Sequence, residues 1–137
     1  MTTTRRGAIA RHEATHAVVA LELGLPVSWV SIDYGVSEGI HFVAAVKIPD
    51  EKIDMERDRF AICVAMAAPS FVNTYDEEVD RYAALEASLA YTVAGKYGID
   101  PGDVYDDAAT LTADRQVEIE DLADRLEAEG KVVFATV

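Results

Sequence analysis

The chain has 137 residues, half of them apolar and 27% charged, and its 12 basic residues against 25 acids leave a net charge of −13. That length fits one domain with a core of its own, while so acidic a surface repels nucleic-acid phosphate and argues against a DNA or RNA partner. No apolar run approaches the roughly 18 to 20 residues of a membrane span, and the basic start runs into His12, Glu13 and His16 rather than a signal-peptide core, so a cytoplasmic protein without a membrane partner is expected.

The pattern predicts a first helix over about Thr4–Leu23, stopped by Gly24 with Pro26 just beyond. One stripe of it holds Ile9, His12, His16, Val19 and Leu23, and another holds Ala14, Val18, Leu21 and Leu25. Apolar residues therefore surround most of the helix, which belongs in the middle of the domain. Two extended segments come next, Val27–Asp33 and Ile40–Ile48, separated by a glycine-bearing hairpin loop over Tyr34–Gly39.

A second helix is predicted over Met55–Ala68, ended by Pro69. It carries Cys63, the one cysteine, in an apolar run where it reads as a small core residue; an internal disulfide and a Cys-rich metal cluster are excluded. Thr74-Tyr-Asp-Glu77 matches a capping box and opens a third helix that runs to about Tyr97. Ile99–Ala109, with Pro101 and Gly102, reads as a looser acidic segment. A last helix spans Thr112–Glu129, and the apolar tail Lys131–Val137 reads as extended. The expected fold is a single α+β domain, mainly helical, with a small two- to three-stranded sheet.

His12-Glu13-Ala14-Thr15-His16 is an H-E-x-x-H sequence on the first helix. Residues four apart on a helix point the same way, so both imidazoles reach one metal, and zinc accepts imidazole nitrogen readily. Glu13, rotated by about 100° from His12, stands beside that metal as the general base for a zinc-activated water. Two histidines and a glutamate on an otherwise apolar helix would be costly to bury without a metal.

The third ligand is open among three residues. Asp80, about two turns into the third helix on a face continued by Ala83, Ala84 and Ala87, is the leading candidate. Asp76, one turn earlier, is the reserve, and His41 in the second extended segment is the third. Acids near a helix N-terminus are also favoured by the helix dipole with no ligand role.

Arg5–Ala20, with Leu-Pro-Val-(x)₂-Val-Ser-Ile after it at Leu25–Ile32, resembles the active-site helix and next strand of the peptidase domain of FtsH-type AAA proteases. The resemblance implies a zincin-like active-site helix. The family's third ligand is an aspartate with an alanine four residues later, an arrangement that Asp80 and Ala84 match. Thr15 replaces the family's usual glycine, and Ala67-Ala68-Pro69-Ser70-Phe71 stands where the family carries a Gly-Gly-x-Ala-Ala-Glu segment. No G-x-x-x-x-G-K-[ST] of the ATPase module occurs. The expected function is that of a stand-alone, ATP-independent zinc metallopeptidase acting on peptides or unfolded protein. The alternatives are a zinc-stabilised protein-binding module that has lost turnover and a regulatory protease specific for one protein.

Overall fold

The computed structural model describes residues 4–33, 35–37, 40–42, 44–49 and 54–134. The first helix, α1, spans Arg5–Glu22, and Thr4 caps it by accepting the Gly7 N–H on its side chain. Gly24 then turns the chain at φ +80°, a left-handed conformation that side chains resist. Small residues decide how α1 packs. Ala10, Ala14 and Ala17 let the last helix, α5 (Gln116–Glu129), approach closely, and together they cover Val30, Ile119, Leu122 and Leu126. Farther along α1, Val19 and Ala20 pack on Cys63, Val64 and Ala67 of α2 (Met55–Ala67).

The sheet is built on β1 (Trp29–Ser31), which pairs antiparallel with β4 (Ala45–Lys47) on one side and β5 (Lys131–Val133) on the other. Val30 sits opposite Val46 and Val132, so one face of all three strands is apolar at the same level. Gly130 links α5 to β5 at φ +80°, a conformation that strains any side chain, and a Cβ there would also displace the Asp33 carboxylate. A separate hairpin joins β2 (Gly35–Ser37) to β3 (Ile40–Phe42). The second extended segment is therefore two short strands in different sheets, and part of the expected hairpin loop is itself a strand. Of the extended tail, residues 135–137 lie outside the described residues.

Two helix boundaries differ from the sequence pattern. α3 spans Glu77–Lys96 and is capped by Asp76, whose carboxylate accepts the Glu78 and Val79 N–H groups, not by Thr74. Residues expected to be loose form α4 (Pro101–Asp114). Asp100 caps it, and Pro101 occupies its first position, where a missing N–H costs nothing. Val104, Ala108 and Thr112 are its buried stripe, so Thr112 closes α4 and does not open α5. The resulting architecture is mainly helical α+β with a small three-stranded antiparallel sheet.

Candidate metal centre

The face of α1 turned away from α5 opens on a cleft of about 790 Å³ walled by α2, α3 and β4. His12 and His16 lie on its floor, one helical turn apart, with ring centroids 4.9 Å from each other and planes at 81°. The third element is Glu86 of α3. One carboxylate oxygen is 2.7 Å from His12 Nε2, and the other is 3.3 Å from His16 Nε2. Donor atoms of His12, His16 and Glu86 all lie within 4.8 Å of one another, and this group could hold a metal ion. A tetrahedral ion with bonds of about 2.1 Å spaces its donors roughly 3.4 Å apart, so small side-chain movements bring the three onto one centre.

The local sequence fixes which nitrogen of His16 faces the centre. Its Nδ1 lies 2.8 Å from the Ala65 carbonyl, and a carbonyl only accepts, so Nδ1 carries a proton and Nε2 is the nitrogen turned to Glu86. Ala65 is free to accept because the residue four ahead is Pro69, which has no N–H to return to it. Ending α2 and orienting His16 are thus one event. Carbonyl-held imidazoles of this kind are the usual second layer of a metal site.

His12 supports the same reading from the opposite direction. It is 3% exposed, yet neither ring nitrogen has a partner with hydrogen-bond geometry. Its Nε2 lies 2.7 Å from a Glu86 oxygen without the angle of a hydrogen bond. A buried imidazole left in that condition is costly unless something else takes its lone pair. The donor set of two imidazoles and one carboxylate, with a further position facing the cleft, suits zinc.

Charge in the site is tightly coupled. Burial pushes the Glu86 carboxyl up, but contact with His12 and His16 outweighs it and brings the group down to about 2. Burial pulls His16 down, and the carboxylates of Glu86 and Glu13 with the Ala65 carbonyl outweigh it, so His16 is raised. Glu13 is nearly buried, and that burial raises its carboxyl against the opposing pull of His16 and His12. A carboxylate raised towards neutrality and facing a cleft is suited to accept a proton. Tyr82 of α3 closes one side, its ring 5.9 Å from that of His12.

Asp80 is not brought to the histidines. Its Oδ1 accepts the hydroxyl of the fully buried Thr74 at 2.7 Å and the Thr74 N–H at 3.2 Å, tying α3 to the loop before it. Ala84, its partner in the resemblance, is exposed. Asp76 is spent on the helix cap and on Arg5, and the side chain of His41 lies outside the described residues. The place beside the histidines expected for Asp80 is taken by Glu86, six residues along α3, because those six residues turn the helix by about 120° net. The sequence does hold a signal for it. Glu86 interrupts the buried row Ala83, Ala87, Ala90 and Ala94 from its flank, far from the N-terminal turn where the dipole alone favours acids.

No family model matches the chain, and no curated protein matches it either.

Proposed function

We propose that this chain is a zinc-dependent, ATP-independent peptidase, with zinc held by His12, His16 and Glu86 and with Glu13 as the general base. The convergence of Glu86 on two histidines one turn apart, with a buried glutamate between them in sequence, is the observation that carries this reading. Bound zinc would supply Lewis acidity to the attacking water and to the scissile carbonyl. Glu13 takes the proton from that water and passes it to the departing amine, while the apolar walls limit competing solvent.

The shape of the cleft supports a peptide substrate. Arg5, Ile9, His12, His16 and Ala20 line it along α1, a stripe of about 22 Å, which matches six or so extended residues at roughly 3.3 Å each. Ala45 and Val46 of strand β4 line the cleft opposite this stripe. The resemblance to FtsH-type peptidase domains points to the same class.

The test is metal analysis of the purified protein together with cleavage of unfolded casein by wild type and Glu13→Gln. Zinc should be stoichiometric in both, with cleavage lower in the variant by about 10² to 10⁴. Equal cleavage by both removes Glu13 as the base. Stoichiometric zinc with no cleavage by wild type would favour the binding-module alternative.

A further inference from the structure

We infer that α3 is a homodimer contact, pairing antiparallel with α3 of a second copy about a two-fold axis at the level of Ala87. The exposed side of α3 between Tyr82 and Gly95 carries no charge in a chain of net charge −13. The one charged residue in that stretch, Glu86, is turned to the histidines. Tyr82, Leu85 and Leu89 are 60%, 64% and 53% exposed, and their spacing of three and four puts them on one stripe. Small residues, Ala84, Ser88 and Thr92, lie among them and permit close approach. Large apolar residues grouped on one uncharged helix face are the composition of a contact surface rather than of a solvated one.

Charge selects a second copy as the occupant. The first turn of α3 holds Glu77, Glu78 and Asp80, and its last turn holds Lys96. In an antiparallel pair centred on Ala87, positions equidistant from the centre face each other: Leu85 meets the partner's Leu89, Tyr82 meets the partner's Thr92, and Glu78, which also bonds Arg5 of its own chain at 2.6 Å, meets the partner's Lys96. The acidic end therefore lies on the basic end twice, and the helix dipoles oppose. A parallel pair would stack Glu77 and Glu78 on their own copies. One helix of 20 residues is about 30 Å long and buries less than a standard interface, so the dimer should be weak, in the micromolar range. This inference does not depend on the catalytic reading.

Sedimentation velocity of the full chain between about 1 and 100 μM should show the average mass rising towards a dimer. Leu85→Asp and Leu89→Asp should remain monomeric at every concentration with unchanged helical circular dichroism, since both side chains are exposed. Lys96→Glu should weaken association. For geometry, Cys63 is buried and silent, so an introduced thiol reports alone. Ser88→Cys places its two thiols about 3 Å apart along the axis of the pair, and Thr92→Cys about 15 Å apart. Oxidative cross-linking should be efficient for the first and poor for the second. Wild type monomeric throughout the range overturns the inference, as does a dimer that survives Leu85→Asp. Equal cross-linking at both positions overturns the antiparallel register.

Discussion

His16 donates its Nδ1 proton to the carbonyl of Ala65 across 2.8 Å, from the centre of α1 to the last turn of α2. That carbonyl is available because Pro69 cannot supply the N–H a continuing helix would offer it. Pro69→Ala restores a competing donor. Zinc affinity should then fall by about 10- to 100-fold, the usual cost of losing a ligand's orienting partner. Competition with a chelator measures it, and unchanged affinity would mean that the carbonyl is a bystander.

On the proposed reading, Glu86 and Asp80 separate function from scaffold on a single helix. Glu86→Ala should strip the metal, because two imidazoles alone remain. Asp80→Ala should keep stoichiometric zinc but lower stability by about 1–3 kcal/mol, since it leaves the fully buried Thr74 hydroxyl poorly paired. Metal content after dialysis, read beside a urea midpoint, distinguishes the two. The reverse pattern would restore Asp80 as ligand.

Distance along the chain explains why the His12–His16 pair is legible in the sequence and its third neighbour, Glu86, is not. His12, Glu13 and His16 belong to one helix whose geometry is set by its own hydrogen bonds, so spacing alone places them. Glu86 meets them only after α3 has been rotated to bury Ala83, Ala87, Ala90 and Ala94. Asp80 as ligand requires Ala84 to be on the buried face, and it is exposed. The main helices and the glycine stops at Gly24 and Gly130 are readable for the same local reason. Pro101 reads as a breaker on its own, yet behind the capping Asp100 it starts a helix. The splitting of residues 40–48 between two sheets is set by pairing with β1, which local pattern does not contain.

The N-terminus of α3 should lose stability in acid. The Val79 N–H, and after it Arg5, hold the Asp76 carboxyl below its ordinary range. A depressed carboxyl contributes stability that is present above its unfolded value of about 3.9 and is lost as pH falls through the folded value. Asp76→Asn keeps a capping side chain but removes the titration and the Arg5 ion pair. Urea midpoints between about pH 2 and pH 6 should therefore fall less steeply with acid in the variant than in wild type. Parallel acid limbs would remove Asp76 from the transition.

Glu13 should also weaken the fold it serves. Its carboxylate is nearly buried, and burial is the largest influence on it, raising the group and disfavouring its charge at neutral pH. Folding therefore confines this carboxyl where its charged form is poorly solvated, and on the proposed reading the same confinement suits it to act as the base. Gln fills the same space with no charge to desolvate. In the presence of a chelator, Glu13→Gln should be more stable than wild type by about 1 kcal/mol, a gain typical of removing a functional strain, or roughly 2–4 °C in Tm for a domain of this size. With zinc added the gain should shrink, because a nearby divalent charge favours the wild-type carboxylate. Thermal melts of both proteins with chelator and with zinc give all four values. A variant less stable than wild type under chelation would show that Glu13 is held by favourable contacts, and that no stability is traded for catalysis at this position.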